Sequence, residues 1–244
     1  MKPAITVVVP VRNEEQHLEA CLRSLRAQTF QDYELLVVDN GSTDASVSIA
    51  RRYADRVLYE PKVGPDWARH RGFLEARTEF LASADADTVY PPGWLGRLVQ
   101  ALKKPGVVGV FGPLAFKESP RVLRQLEVLG YTLLALGLFP LGVPLAGAAN
   151  FGCRKSAYLA VGGFPPLAHL ANADFRLAKR LRRVGRVVFL PTLRAYTSNR
   201  TFKALGPWRT VPHTLRIWAD IALQRDRVPA SHYLAVLRRN RGGR

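Results

Sequence analysis

The feature that most constrains the fold of this chain is a regular alternation between short apolar runs and amphipathic segments. The runs are rich in β-branched residues, which is typical of strands buried in a parallel sheet, and the segments between them carry apolar residues at helical spacing. We predict strands at Ile5–Val9, Tyr33–Asp39, Arg56–Glu60, the run that begins at Phe80 and Val107–Phe111, and helices that include Gly64–Arg77, Pro91–Lys103 and Phe175–Val184. This order predicts an α/β domain with a central, mostly parallel sheet, right-handed crossovers and helices on both faces.

Three of the predicted strands end in polar loops, which are Pro10–Glu14, Asp39–Asp44 and Ser83–Thr88. The carboxyl ends of parallel strands meet at one edge, where open sheets bind ligands, so these loops predict a cleft that suits a nucleotide. The chain lacks the glycine-rich patterns of dinucleotide sites and of NTPase phosphate loops, which disfavours both classes. Within the first two loops we expect Asn13 to cap one helix and Ser42 or Thr43 to cap the next.

Asp85 and Asp87 stand one residue apart, directly after the apolar run that begins at Phe80. In an extended segment, side chains two residues apart point to the same side, so both carboxylates can face one bound cation. Two close carboxylates repel each other unless a cation or a shared proton offsets them. Oxygen ligands of this kind suit Mg²⁺ or Mn²⁺ bound together with substrate phosphates. The alternative is an ordinary polar loop after a strand.

The basic residues of the chain are concentrated at its C-terminal end. The formal net charge is +17, and residues 1–174 contain 19 Lys and Arg against 17 Asp and Glu, whereas residues 175–244 contain 17 against 2. Such a field attracts nucleic acid, anionic lipid or phosphorylated substrates, and a solvated basic face is the alternative. Apolar spacing over Thr210–Gln224 predicts a basic, amphipathic helical extension over 206–244 that suits an anionic membrane surface.

From Val128 to Cys153 the chain carries no charged residue. A stretch of this length could span a bilayer, but Pro140 and Pro144 interrupt a helix, and the stretch lies between parts of one predicted site. We therefore expect no transmembrane helix, and instead either a buried part of the domain or a helix that dips into the membrane interface and admits a lipid-linked acceptor.

With no room for a signal peptide and no cysteine other than Cys21 and Cys153, the sequence predicts a cytoplasmic protein, peripheral at the inner face of the cell membrane.

Six ordered motifs resemble those of family 2 glycosyltransferases of the GT-A fold. They are Val7–Glu14, Leu36–Asp44, Gly64–Gly72, Asp85–Asp87, Gly147–Phe164 and Ala173–Gly185, and together they extend over roughly residues 4–200. The resemblance implies an inverting transferase that moves a sugar from a UDP- or GDP-type donor to an acceptor hydroxyl or phosphate, with Mg²⁺ or Mn²⁺, in cell-envelope polysaccharide or glycolipid synthesis. It implies a GT-A domain over 1–205, with a nucleotide-sugar half at 1–112 and an acceptor half at 113–205.

The resemblance also implies roles for single residues. On the donor side, Pro10, Val11 and Glu14 would line the nucleotide pocket, Asp39 would form a hydrogen bond with the nucleobase, Arg69 would lie near the phosphates and Asp85 would approach the ribose. Asp87 would bind the metal together with Asp85. On the acceptor side, Asp174 would be the catalytic base, and Asn150 and His169 would contact the acceptor. Asp39 and Asp174 could instead only begin the helices that follow them, and His169 could be a surface histidine. The chain departs from the family pattern at His70, where Asn is usual, and at Ala173, where Glu is frequent.

Two other classes of function compete with the transferase. A nucleotidyltransferase also uses acidic metal ligands on an α/β sheet, but it needs a glycine-rich, lysine-bearing phosphate loop that Pro10–Glu15 lacks. A nucleic-acid-binding protein would use the basic C-terminal end, but the sequence has no recognisable motif for that purpose. We therefore expect no nucleic acid among the partners.

Overall fold

The computed structural model describes residues 3–164 and 172–200, together with the single positions 203 and 219. Its strands are β1 (Ile5–Val11), β2 (Tyr33–Asp39), β3 (Arg56–Tyr59), β4 (Phe80–Ser83), β5 (Val107–Phe111), β6 (Leu114–Phe116), β7 (Phe151–Arg154), β8 (Arg186–Phe189) and β9 (Ala195–Thr197). Its helices are α1 (Leu18–Arg26), α2 (Ser46–Tyr53), α3 (Pro65–Glu75), α4 (Trp94–Lys103), α5 (Arg121–Leu138), α6 (Lys155–Ala160) and α7 (Ala173–Leu181). The predicted strands are confirmed, and the predicted helices differ by up to three residues at their ends.

Seven strands form one sheet in the order β3-β2-β1-β4-β7-β5-β8. β1 pairs in parallel with β2 and β4, and β2 pairs in parallel with β3, whereas β7 runs antiparallel between β4 and β5. β6 and β9 form a separate parallel pair. The predicted mostly parallel α/β sheet is therefore confirmed. Because β1, β2 and β4 run in the same direction, the loops that follow them share one edge of the sheet.

Both faces of the sheet carry a hydrophobic core, because successive residues of a strand point to opposite sides. Val7 and Val9 of β1 pack in a core with residues of α1, α2 and α4, whereas Val8 packs in a second core with residues of α3, α6 and α7. Trp94 is completely buried in the first core and Tyr158 in the second. Burial on both faces is the reason that the strands read as continuous apolar runs in the sequence.

The expected helix caps are wrong. α1 begins at Leu18 without a side-chain cap, while Asn13 has a positive φ of 53° and its Oδ1 accepts a hydrogen bond from the N–H of Thr43 at 2.8 Å. α2 begins at Ser46, after the residues expected to cap it, and the N–H of Ser46 donates to Asp44 Oδ1 at 2.9 Å. Asn13 therefore joins the loops after β1 and β2, which fixes the edge of the sheet at which those loops meet.

Helix α5 begins before the uncharged stretch, at Arg121, and continues into it from Val128; with 18 residues it is the longest helix of the described residues. Its Ala135 packs with Val143 and Leu145, which follow the helix, and this contact uses only a narrow face of α5. Most of the remaining apolar side chains of the helix are exposed. Across the ranges that the structure describes, no helix combines the length and the apolar character needed to cross a bilayer. The predicted extension over 206–244 lies outside the described residues except for Ala219.

Candidate functional site

The loops after β1, β2 and β4 bring four acidic side chains to one edge of the sheet, and these are Glu14, Asp39, Asp85 and Asp87. Asp39 is the last residue of β2 and is buried. Its carboxylate accepts hydrogen bonds from the backbone N–H groups of Gly41 at 3.3 Å and Ser42 at 3.1 Å. Asp39 therefore shapes the turn before α2, while each of its oxygens keeps a lone pair for a further donor. Pro10 and Val11 are buried at the end of β1 beside it.

Arg69 of α3 forms salt bridges with both Asp85 and Asp66. Its Nη2 lies 2.7 Å from Asp85 Oδ1 and its Nη1 lies 2.9 Å from Asp66 Oδ1. Arg69 itself is buried, whereas Asp85 keeps 36% of its side chain exposed and so remains open to a ligand. Desolvation by the surrounding protein raises the pKa of Asp85, and the charge of Arg69 opposes that rise. The structure thus brings two of the predicted site residues, Arg69 and Asp85, into direct contact.

Arg200 bridges Glu14 and Asp87. Its Nη1 lies 2.7 Å from Glu14 Oε2 and its Nη2 contacts Glu14 Oε1, which makes the pair bidentate. The same Nη2 lies 3.1 Å from Asp87 Oδ2. Lys117 adds a second cation, because its Nζ donates to the backbone carbonyl of Asp87 at 3.0 Å. Asp87 is therefore surrounded by positive charge, and an incoming metal ion would compete with Arg200 for its carboxylate.

The residues at this edge fit a divalent ion that arrives with a phosphorylated ligand. Asp85 and Asp87 offer the hard carboxylate oxygens that Mg²⁺ and Mn²⁺ prefer. In the described part of the chain, however, no group of three or more His, Cys, Asp or Glu is arranged to hold a metal ion. Two carboxylates leave most positions of an octahedral ion to other ligands, so phosphate oxygens and water would have to complete the shell.

Asp174 lies at the N-terminus of α7, after Asn172, which adopts the left-handed conformation with φ 53°. Its Oδ2 accepts a hydrogen bond from the N–H of Ala148 at 2.7 Å, and its Oδ1 accepts one from the N–H of Phe175 at 3.0 Å. Burial and, after it, the nearby charge of Asp66 raise the pKa of Asp174 to about 7, even though the N–H of Ala148 acts to lower it. A carboxylate with such a pKa can exchange a proton near neutral pH.

Of the two residues expected to contact an acceptor, Asn150 and His169, the structure describes only Asn150. Asn150 is completely buried, where its Nδ2 donates to the carbonyls of Pro113 (3.0 Å) and Leu193 (2.6 Å) and its Oδ1 accepts from Trp94 Nε1 at 2.8 Å. Asn150 therefore connects three separate segments of the chain by hydrogen bonds, and it is inaccessible to an acceptor. His169 lies outside the described residues.

The two departures from the family pattern have local structural explanations. His70 Nδ1 lies 2.6 Å from the hydroxyl of Tyr158, which also accepts a hydrogen bond from the N–H of Phe164 at 3.0 Å. Burial lowers the pKa of His70 and so favours its neutral imidazole. The hydrogen bonds of the Tyr158 hydroxyl with His70 and Phe164 therefore tie α3 to α6 and to the residues that follow it. Ala173 is 2% exposed, so the position that often carries Glu is buried in this chain.

Sequence reasoning missed Asp66, Lys117 and Arg200. Asp66 precedes Arg69 by three residues, a spacing at which oppositely charged side chains meet on a helix, so this contact had a local signal. Arg200 is separated from Glu14 by 186 residues, and nothing in the sequence near either residue indicates that they meet. Lys117 likewise reaches Asp87 across 30 residues of chain.

Comparisons with known proteins agree with this architecture. The chain is 33% identical over 192 residues to the glycosyltransferase AglE of Haloferax volcanii, which covers 75% of this chain and 62% of that protein. It is 41% identical over 123 residues to the uncharacterized glycosyltransferase Rv0539 of Mycobacterium tuberculosis, which covers 50% of this chain and 55% of that protein. The chain thus spans between half and two thirds of the lengths of these curated relatives.

Solved structures share the fold at low sequence identity. The mannosyltransferase PcManGT of Pyrobaculum calidifontis, in complex with GDP-Man and Mn²⁺, superposes with a TM-score of 0.66 and 21% identity, covering 88% of this chain and 65% of that one. S. aureus TarS 1–349 in complex with UDP superposes with a TM-score of 0.62 and 19% identity, covering 80% of this chain and 60% of that one. These likenesses show the GT-A fold. The model of the family described as "Glycosyl transferase family 2" matches residues 6–162, and the chain therefore belongs to that family.

Proposed function

We propose that this protein is an inverting glycosyltransferase that moves a sugar from a nucleoside diphosphate sugar to the hydroxyl or phosphate of a lipid-linked acceptor at an anionic membrane surface. The observation that carries the proposal is the position of Asp174, with its pKa raised to about 7, near the cluster of Asp66, Arg69 and Asp85. A group able to accept a proton near neutral pH thus lies beside the edge that suits a nucleotide.

The donor half of the proposed site comprises the loops after β1, β2 and β4. Asp39 keeps lone pairs for the N–H groups of a nucleobase, while Pro10, Val11 and Glu14 form the neighbouring wall. Arg69 and Arg200 are positioned to offset the negative charge of a diphosphate. GDP and UDP are the first nucleotides to test, because the structures of PcManGT and TarS contain GDP-Man, UDP or UDP-GlcNAc.

Asp85 and Asp87 are the residues that would hold Mg²⁺ or Mn²⁺. Such an ion stabilises the charge that develops on a diphosphate leaving group. The protein contributes by keeping both carboxylates at one edge and by holding Asp87 against Arg200 before the donor arrives. When the metal and the donor bind, the guanidinium of Arg200 would leave Asp87 and pair with the diphosphate. The metal would then neutralise Asp87, and Arg200 would offset the negative charge of the diphosphate.

Asp174 acts as the general base in this proposal. It removes the proton of an acceptor hydroxyl while that oxygen attacks the anomeric carbon, and the bond from that carbon to the diphosphate oxygen breaks at the same time. The nucleoside diphosphate leaves with the bonding electron pair, and Asp174 keeps the proton. The hydrogen bonds from Ala148 and Phe175 orient the carboxylate for this step.

A transfer assay tests the proposal directly. The protein is incubated with Mn²⁺, a lipid extract and radiolabelled GDP-mannose, UDP-N-acetylglucosamine or UDP-glucose, and label in the organic phase is counted. We expect incorporation from one donor and a loss of at least about 100-fold in Asp174→Asn, because general bases contribute on the order of 10²–10⁴-fold. Asp32→Asn is the matched control, because Asp32 is exposed at the opposite, amino end of β2. Equal rates in Asp174→Asn and the wild type would overturn the role of the base.

A further inference from the structure

One face of α5 exposes an unbroken apolar surface. Val122, Leu126, Leu129, Leu133 and Leu136 follow one another at helical spacing, and each is between 53% and 75% exposed. Leu141, three residues beyond the helix, is 71% exposed and extends this surface. Single exposed leucines are common, but a contiguous row along about four turns of helix marks a contact site for a partner or a membrane. We call this row the α5 leucine face.

The opposite face of α5 explains why the helix does not bury its leucines in the domain. Val128 and Ala135 are buried, and the hydroxyl of Tyr131 donates to the carbonyl of Leu145. The one acidic residue of the helix, Glu127, also points inward, where it accepts hydrogen bonds from Ser119 Oγ at 2.6 Å and from the backbone of the preceding strand. The inner face is therefore complete in its contacts, and the leucine face carries no negative charge.

Positive side chains lie at both ends of the leucine face. At its beginning, Arg121 and Arg124 line a shallow cleft of about 340 Å³ together with Tyr196, and Arg194 Nη1 lies 3.2 Å from Gln125 Oε1. At its end, Arg182 lies over the ring of Phe139 at 4.6 Å and donates to its carbonyl. An apolar helix face bordered by arginines is the pattern of a helix that lies in the interface of an anionic membrane.

The charges at these ends also decide between possible occupants. Residues 204–244 carry 8 Arg against 2 Asp, so that segment would be repelled by the arginines that border the leucine face. A second copy of the same face would bring the same positive ends together. Anionic phospholipid headgroups complement the arginines, while their acyl chains accept the leucines.

We propose that the α5 leucine face is the membrane-docking surface of this protein and that it receives a bilayer of anionic phospholipid. The first turn places the exposed Arg121 among lipid phosphates, and the leucines enter the acyl region. Behind the same helix, Tyr131 contacts the loop whose Ala148 N–H binds Asp174. A lipid-linked acceptor held in that bilayer would therefore reach the general base along α5, a consequence that rests on the proposed function.

Sedimentation with vesicles tests the docking surface without any sugar donor. Full-length protein is mixed with vesicles of phosphatidylglycerol and phosphatidylcholine in equal parts, or of phosphatidylcholine alone, and the bound fraction is measured. We expect binding to the anionic vesicles and a decrease of at least about tenfold in the partition coefficient of the double variant Leu129→Gln/Leu133→Gln, since two leucines are lost from the apolar contact. Arg121→Gln should weaken binding by a few-fold at low salt, as expected for one basic residue near an anionic surface.

The matched control is Leu74→Gln/Leu159→Gln, which changes two exposed leucines on α3 and α6 and should bind as the wild type does. Circular dichroism verifies that each variant is folded. Equal binding of wild type and the α5 double variant would overturn the proposal and assign membrane contact to another segment. A wild-type dimer in light scattering that becomes a monomer in the α5 double variant would also overturn it, because a second copy would then cover the face. Nucleotide binding is measured separately, so a failure of docking is distinguishable from a failure of the transferase proposal.

Discussion

Asp174 combines the position of a carboxylate in the first turn of a helix with a raised pKa. As a carboxylate in the first turn of α7 it accepts the N–H of Phe175 and lies in the favourable field of a helix N-terminus. Those interactions favour the charged form, yet burial and the neighbouring Asp66 raise the pKa to about 7. The structural and the chemical interpretations of Asp174 are therefore compatible, and its pKa distinguishes it from an ordinary first-turn aspartate.

The first prediction concerns the pH dependence of transfer to an acceptor hydroxyl. Because a general base must be deprotonated and the pKa of Asp174 is about 7, the rate should fall about tenfold per pH unit below pH 6 and become constant above pH 8. Measurement of kcat/KM from pH 5 to 9 checks this. A rate that does not change between pH 5.5 and 8.5 would contradict the assignment of the base.

The second prediction concerns Arg200, whose guanidinium contacts Glu14 and Asp87. Arg200→Ala removes a positive charge that repels an incoming cation, so affinity for Mn²⁺ in the absence of nucleotide should increase by at least about fivefold. Two unit charges about 4 Å apart in water repel each other by about 1 kcal/mol, and Mn²⁺ carries two charges. Calorimetric titration with Mn²⁺ measures the change. The control is Arg51→Ala on the exposed side of α2. If Arg200→Ala binds Mn²⁺ no better than this control, Arg200 does not compete with the metal.

At the scale of elements, residues 161–164, where the loop after α6 begins, are held by Tyr158. The Tyr158 hydroxyl contacts both His70 and the N–H of Phe164, and its ring packs edge-on against Phe73 with centroids 5.0 Å apart. Gly163 lies in this loop with a φ of 60°. A Cβ at that position would lie 2.7 Å from the Tyr158 ring, so both the backbone and the packing require glycine.

The third prediction follows from this loop. Gly163→Ala should decrease the free energy of unfolding by about 2–4 kcal/mol, because the left-handed backbone costs about 1–2 kcal/mol and the contact with Tyr158 adds to it. Gly130→Ala is the control, since a Cβ there meets nothing within 4 Å on the exposed side of α5, and it should be neutral or stabilising by up to about 1 kcal/mol. Urea denaturation of both variants provides the comparison. Equal stability of the two variants would contradict the packing argument.

The sequence predicted the ends of a strand well where the strand is buried on both faces of the sheet. The strands of the main sheet are apolar on both faces, so β1, β2 and β5 were predicted close to their observed ends. The uncharged stretch from Val128 to Cys153 left two predictions open, a buried part of the domain or an interfacial helix, because a stretch without charges does not indicate which of its sides is buried. Helix starts were also misjudged, since Asn13 bonds across to the next loop instead of capping α1. Contacts such as Arg200 with Glu14 depend on the tertiary fold and have no local pattern.

At the scale of the whole molecule, the charge distribution and the fold divide the chain into complementary parts. Residues 1–174, which include the donor edge, are nearly neutral, and residues 175–244 carry almost all of the net positive charge. Helix α5, which carries the leucine face, belongs to the first of these parts and contacts β6. Its Tyr131, on the opposite face, contacts the loop whose Ala148 N–H binds Asp174. In the proposed function, this arrangement would bring a water-soluble donor to the edge of the sheet and a membrane-held acceptor to α5.

The measurement that tests the central claim most directly is calorimetric titration of UDP and GDP in the presence of Mn²⁺. The account predicts that one of the two nucleotides binds to the wild type, and that binding weakens by at least about tenfold in Asp87→Ala, because a metal ligand is lost, while Asp32→Asn binds normally. Metal-dependent binding would also identify the base of the donor. Folded wild-type protein that binds neither nucleotide at millimolar concentration would contradict the transferase account.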